Sequence, residues 1–276
     1  LGISEAMPNP FLAPDTLAKA GLPGDALRIT NPLVAEESVL RTSLRPGLLR
    51  AIAYNESHRR PGVALFEIGH VYPPADGELP GEYEALTVVL AGREAPAALA
   101  VWRELADALG TGARIDQSKV PAGLHATRSA ALQAGKDPLG AVGEVAPDVL
   151  EAFEVAERVA ILELDLDQIL DREPKPTQWK PTSRYPSSDL DLSFVVPEEI
   201  PAEKVDKAVR QGAGKLLVEI DLFDVYRGER VAPGTRSLAY RVRLQAPDRN
   251  LTDADIADVR RGVEAAATKL GAQLRS

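Results

Sequence analysis

The sequence predicts an α+β fold in two parts, and three features of its 276 residues carry that prediction. Apolar stripes at helical spacing alternate with shorter apolar runs of strand length along the chain. Between Asp171 and Pro186 the tract REPKPTQWKPTSRYP sets four prolines among polar residues, which resists both a helix and a central strand. Beyond that tract the elements read strand, helix, strand, strand, helix, strand. That order is the split βαβ plan, with both helices on one face of an antiparallel sheet and the other face open.

In the first part, Ala13 to Gly21 can form a brief helix closed by its glycine. Pro46 opens a helix that carries Leu48, Leu49, Ile52 and Ala53 on one face, and Pro61 and Gly62 turn the chain into a strand from Val63 to Tyr72. A strand from Ala85 to Ala91 leads to a helix from about Ala97 to Leu109, striped by Leu99, Trp102, Leu105, Ala106 and Leu109 and ended by Gly110. Strands at Ala130 to Ala134 and Gly140 to Val145, a short helix at Pro147 to Phe153 and a strand at Val159 to Leu166 complete a mixed α+β module.

In the second part, a strand from Leu190 to Val196 precedes a helix with Pro201 in its first turn and Gly212 past its end. Two strands follow, joined by a glycine- and proline-rich turn. In the later one Leu238, Tyr240, Val242 and Leu244 alternate with Ser237, Ala239, Arg241, Arg243 and Gln245, one apolar face and one polar. In the earlier one Phe223 follows Leu222 directly, one apolar residue too many, which predicts a β-bulge. Asp224, Tyr226, Ser237, Arg241 and Arg243 then share the open face: an acceptor, an aromatic plate, a hydroxyl and cations, suited to an unstacked base. A long helix, capped by Thr252 with Asp255 three residues on, carries Ile256, Val259, Val263, Ala267 and Leu270 on one side, and Ala272 to Arg275 forms a last strand.

The length suits about two domains. No apolar run approaches the roughly 20 residues that span a bilayer. Cysteine is absent, which removes disulfides and thiolate zinc sites and points to the cytosol. Leu1, where an initiator methionine would stand, suggests a piece of a longer chain. The net charge of −9 argues against a general affinity for nucleic acid, yet it is unevenly spread. Residues 183–276 hold 15 Lys and Arg against 15 Asp and Glu, and the first 182 residues hold 17 against 26. Six arginines crowd between Tyr226 and Arg249, so any RNA contact is expected to be local.

Other motifs carry little chemistry. His58, His70 and His125 are scattered, with no metal-ligand spacing. QGAGKLL lacks both the first glycine of a phosphate loop and the hydroxyl residue after its lysine, and reads as a helix stop. Ser43 and Ser57 lack a nucleophile elbow. Glu163, Asp165 and Asp167 alternate as on one strand face, where three carboxylates could hold a cation but a solvated face is expected.

Taken in order, NPLVAEESVLRTSLRPGLL, LFEIGHVY, GAVGEVAPDVL, SRYPSSDLDLSFVV, LFDVY, SLAYRVRL and the closing GAQLRS resemble the C-terminal part of the phenylalanyl-tRNA synthetase beta subunit. The resemblance covers nearly the whole chain. It implies that residues 1–175 have the class II synthetase catalytic fold and residues 183–276 the ferredoxin-fold anticodon-binding domain. It implies no catalytic residues in the first module: an acid, Glu67, follows Phe66 where class II enzymes place an ATP-binding arginine, and VAILELDLDQI has neither the glycine nor the arginine of the later motif. Carboxylates in those places repel a triphosphate. No cofactor is therefore expected here, with ATP and magnesium expected for the whole enzyme.

The resemblance further implies packing on a catalytic alpha subunit through the helix from Pro46 to Tyr54, in a two-alpha, two-beta assembly in the cytoplasm. Ser193, Asp224, Tyr226 and Ser237 match the family's base-contacting positions for the anticodon of tRNA(Phe), above all its first base. Asp224 would accept from a guanine Watson–Crick edge, Tyr226 would stack, and the serines would supply hydroxyl or backbone contacts. Arg241 and Arg243 are assigned to phosphate from their facing alone. One departure is Ala146, where the family often has histidine before the proline of the short helix. The family's editing domain and magnesium-associated segment would precede Leu1.

Two other classes fit the residues less well. A ferredoxin-like regulatory domain holds a small molecule at a sheet edge rather than on a basic, aromatic open face. An independent class II ligase would need the missing arginines.

Overall fold

The computed structural model describes residues 1–74, 81–173 and 183–275, and the chain packs as two compact units, Leu1–Thr177 and Gln178–Ser276. Of the proline-rich tract expected at the boundary, residues 174–182 lie outside the described residues.

The first unit contains β1 (Ser4–Glu5), β2 (Phe11–Leu12), α1 (Thr16–Lys19), β3 (Val39–Leu40), α2 (Arg45–Ser57), β4 (Ala64–Val71), β5 (Tyr83–Ala91), α3 (Ala95–Ala108), β6 (Arg114–Asp116), β7 (Leu124–Ala134), β8 (Asp137–Val145), α4 (Pro147–Ala152), β9 (Val159–Asp165) and α5 (Leu166–Leu170). Seven strands form one sheet in the order β1-β4-β5-β9-β8-β7-β6, antiparallel except where β1 joins β4, and β2 pairs with β3 apart from it. Leu48, Leu49 and Ile52 of α2 pack on one sheet face with Ala85, Val89 and Ile161. On the other, Ala98, Val101, Trp102 and Ala106 of α3 pack with Leu86, Val88 and Leu162. Because both faces are covered, the buried stretches 88–91 of β5 and 159–162 of β9 are continuously apolar rather than alternating.

The expected helix at Ala13 to Gly21 is one turn. The expected strand at Ala130 to Ala134 is the end of the eleven-residue β7, whose earlier residues LHATRS are too polar to have announced it. The strand from Val159 stops at Asp165, so Asp167 lies in α5 and not on a strand face.

The second unit runs β10 (Ser188–Pro197), α6 (Ala202–Ala213), β11 (Leu217–Tyr226), β12 (Thr235–Leu244), α7 (Asp253–Thr268) and β13 (Gln273–Arg275), in the sheet order β11-β12-β10-β13 with all pairs antiparallel. This is the βαββαβ ferredoxin-like arrangement. Leu192, Phe194 and Val196 of β10 and Leu238, Tyr240 and Val242 of β12 form one core with Val205 and Val209 of α6 and Val259 and Val263 of α7. Both helices therefore cover one face. The capping box of α7 is present, Thr252 Oγ1 accepting from Asp255 N and Thr252 N donating to Asp255 Oδ2.

Gly212 was expected past the end of the first helix, but α6 includes it and turns at Gly214, where φ is +62°. Its role is close approach: a Cβ there would stand 2.5 Å from Val263 N, and one on Gly262 would stand 2.6 Å from Gly212 O. Two glycines let α6 and α7 meet backbone to backbone.

Candidate nucleic-acid interface

Strand register fixes which side chains share the open face, because residues directly opposite in an antiparallel pair point to the same side. Asp224 lies opposite Ala239, Ala239 opposite Ser193, and Ser193 opposite Arg275, giving one row across all four strands. The next row is Tyr226, Ser237, Val195 and Gln273. The four residues Ser193, Asp224, Tyr226 and Ser237 thus fall in two adjacent rows. The register shift between Leu222 and Asp224 is the expected bulge, with Phe223 as the extra residue. Without it Asp224 and Tyr226 would point at the helices.

Ser193 Oγ and Ser237 Oγ are hydrogen-bonded at 2.9 Å on the floor of these rows, and Ser237 is only 6% exposed. Tyr226 is exposed at the sheet edge, its ring resting where a side chain on Gly228 would be: a Cβ there would lie 2.5 Å from Tyr226 Oη and 2.8 Å from Cζ. Gly228 has no left-handed backbone, so the tyrosine ring and not the turn requires glycine.

Arg241 and Arg243 are on the open face, in rows further from the hairpin turn, and both are engaged. Arg241 donates from Nε and Nη2 to Asp191, each at 2.9 Å, and Arg243 donates to Asp189 at 2.8 and 3.1 Å and to Glu219 at 2.8 Å. These guanidinium contacts hold the Asp189 and Asp191 carboxyls below the usual range. The guanidinium of Arg241 also lies 5.3 Å from the Phe223 ring centroid, a cation–π contact.

The expectation of a basic face therefore needs correction. Of the hairpin's arginines, Arg227 and Arg236 meet Glu198, and Arg249 meets Asp255. The partners lie outside the arginine-rich stretch from Tyr226 to Arg249: Asp189 and Asp191 in β10, Glu198 just past it, Glu219 in β11 and Asp255 in α7. Sequence reasoning also missed Phe223 as a face residue, although the predicted bulge was the signal for it. It missed Arg275, which the parity of Leu274 against the core could have placed.

The first unit has a cleft of about 300 Å³ on the α2 side of its sheet, lined among others by Ser43, Tyr83, Thr87, Glu163 and Asp165. Arg45 is 2% exposed and fully committed: Nε and Nη2 grip Glu163 at 3.1 and 2.5 Å, and Nη1 donates to the carbonyls of Ala20 and Ala122. Asp165 caps α5 through Gln168 N, and its pKa is raised by burial. Glu67, buried on β4, accepts from Arg41 Nη1 at 2.5 Å, and Gly69 leaves room for that guanidinium. Burial raises the Glu67 pKa against the opposing pull of Arg41. The solvated face expected for Glu163, Asp165 and Asp167 is thus replaced by an internal ion pair and a helix cap. Among the described residues no group of three His, Asp or Glu side chains could hold a metal ion.

Residues 1–166 match the family model described as the phenylalanyl tRNA synthetase beta chain CLM domain, and residues 183–275 match the ferredoxin-fold anticodon binding domain. The phenylalanine–tRNA ligase beta subunit of Symbiobacterium thermophilum is 37% identical over 295 residues, covering 100% of this chain and 33% of that protein. That of Moorella thermoacetica is 35% identical over 293 residues, covering 99% and 36%. The chain spans about a third of the length of these relatives. A solved pyrrolysyl tRNA synthetase from Desulfitobacterium hafniense matches 61% of this chain and 62% of its own at a TM-score of 0.48 and 18% identity. With more than half of its residues matched by the first of these models, the chain belongs to the phenylalanyl-tRNA synthetase beta chain family.

Proposed function

We propose that this chain is the non-catalytic, tRNA-binding region of a phenylalanine–tRNA ligase beta subunit, and that residues 183–276 read the anticodon on their open sheet face. The observation that carries this reading is the pair of rows that gathers Asp224, Tyr226, Ser193 and Ser237 within two strand positions of one another. Asp224 offers a carboxylate to the donor edge of guanine, Tyr226 a ring for stacking, and the serine pair a hydroxyl that its internal hydrogen bond leaves unused. Phe223 extends the aromatic surface.

Residues 1–175 act as a class II catalytic-like module that packs on the alpha subunit through α2, within a two-alpha, two-beta enzyme of the cytoplasm. The residues of its cleft do not fit a nucleoside triphosphate: Glu163 and Asp165 are acidic, and Arg45, the cation that meets Glu163, is outside the lining and already held by Glu163 and two carbonyls. ATP and magnesium belong, in this reading, to the alpha subunit. Among the described residues no helix is long and apolar enough to cross a membrane.

The test is binding of the full chain to a tRNA(Phe) anticodon stem-loop and to the same loop with its first anticodon base changed. Preference for the natural loop supports the reading. Equal binding to both loops, vanishing with salt, would refute it.

A further inference from the structure

The open face poses a question that its arginine ladder does not answer: which cation meets the RNA backbone. Arg241 and Arg243 each form a two-point contact with an aspartate, and Arg243 adds a second carboxylate. A phosphate would have to displace these partners. Four carboxylates, of Asp189, Asp191, Glu219 and Asp221, occupy the same two rows as the two arginines, so this half of the face has no spare positive charge to offer.

Arg275 stands differently. It lies opposite Ser193 at the end of the row that begins with Asp224. Leu274 between Gln273 and Arg275 packs against the helical core, so parity along β13 sends Arg275 to the open side, where it is exposed. Among the described residues it makes no hydrogen bond or ion pair through its side chain. The carboxylate two residues along β10 from Ser193, that of Asp191, already accepts both bonds from Arg241. Between Asp224 and Arg275 the floor consists of Ala239 and Ser193, small side chains that leave a trough about 14 Å across, three strand spacings wide.

We propose that Arg275 is the phosphate-holding residue of this face: it takes a phosphodiester oxygen of the bound single strand at one side of the trough while the base lies toward Asp224 and Tyr226 at the other. Arg241 and Arg243 are positioning residues that brace β10, β11 and β12. This assignment rests on the anticodon reading above and deepens it.

The experiment measures binding of the anticodon stem-loop to the full chain over a range of salt, for the parent chain and for Arg275→Gln, Arg275→Lys, Arg241→Gln and Arg243→Gln. Arg275→Gln should weaken binding about three- to tenfold, equally for the natural and base-changed loops, as loss of a phosphate contact does. It should also lower the slope of log affinity against log salt by about 0.7, the value for one contact to a single strand. Arg275→Lys should keep the slope, which a merely structural role in β13 would not require. An unchanged slope in Arg275→Gln, with a lowered one in Arg241→Gln or Arg243→Gln, would overturn the assignment while leaving base selectivity, and so the anticodon reading, intact. Loss of base selectivity in the parent chain itself would overturn both.

Discussion

Ser193 on β10 and Ser237 on β12 join their hydroxyls at 2.9 Å across two neighbouring strands, on the sheet face of the second unit opposite its two helices. One hydroxyl donates to the other, so one hydrogen of the pair remains for a ligand. Replacing Ser237 by alanine should lower affinity for the anticodon stem-loop several-fold while costing about 1 kcal/mol or less in stability, as for a typical hydrogen bond. Binding titrations beside urea midpoints will separate the two effects.

Gly228 holds room for the Tyr226 ring. Gly228→Ala should push the ring off its position and weaken RNA binding by up to the 1–3 kcal/mol of one aromatic stacking contact. Thermal stability should change little, since Tyr226 at the strand end and Gly228 in the turn after it are both exposed. Matching affinity losses in Gly228→Ala and Tyr226→Ala, with no further loss in the double variant, would show that the glycine acts through the tyrosine.

Gly212 tests the helix crossing. In a free helix, glycine to alanine is stabilising by about 1 kcal/mol. Here the added methyl meets the Val263 backbone at 2.5 Å, where nothing flexible can yield. Gly212→Ala should therefore destabilise the second unit by about 1–3 kcal/mol, the usual range for overpacking. Urea denaturation gives the sign directly.

The acid limb of stability is set by lowered carboxyls. The Asp255 carboxyl is held far below its ordinary value by the Arg249 guanidinium and by the N–H and hydroxyl of Thr252. Arg243 and Arg241 do the same, to a lesser degree, for Asp189 and Asp191. A carboxyl whose folded pKa is depressed contributes stability above its unfolded pKa, near about 3.9, and loses that contribution as pH falls through the folded value. Stability of the second unit should thus decline below about pH 4. Asp255→Asn should be less stable at pH 6 and show a shallower acid decline, read from denaturation midpoints at successive pH values.

Much of the second unit was legible because its signals are local. Alternation in β12, the doubled apolar pair Leu222 and Phe223, and the capping pair Thr252 and Asp255 each sit within a few residues, and each appears in the fold as expected. The state of Arg241 and Arg243 was not legible, since Asp191 and Asp189 lie 50 and 54 residues away and only strand register brings them together. Glu163 escaped for the same reason, its partner Arg45 standing 118 residues earlier. Gly212 reads as a helix stop because its local pattern cannot show a second helix crossing it at backbone distance. The polar first half of β7 gave no strand signal, its pairing to β8 being irregular between Leu124 and Ser129.

The most direct measurement is a double-mutant cycle between Asp224 and the first anticodon base, using Asp224→Asn and a stem-loop with guanine replaced by adenine at that position. If the Asp224 carboxylate reads the guanine edge, the parent chain should prefer guanine by about 1–3 kcal/mol, the scale of a good base-specific contact. Asp224→Asn should lose most of that preference while binding the adenine loop about as well as the parent does. An undiminished preference in Asp224→Asn would contradict the account and move base reading off this face.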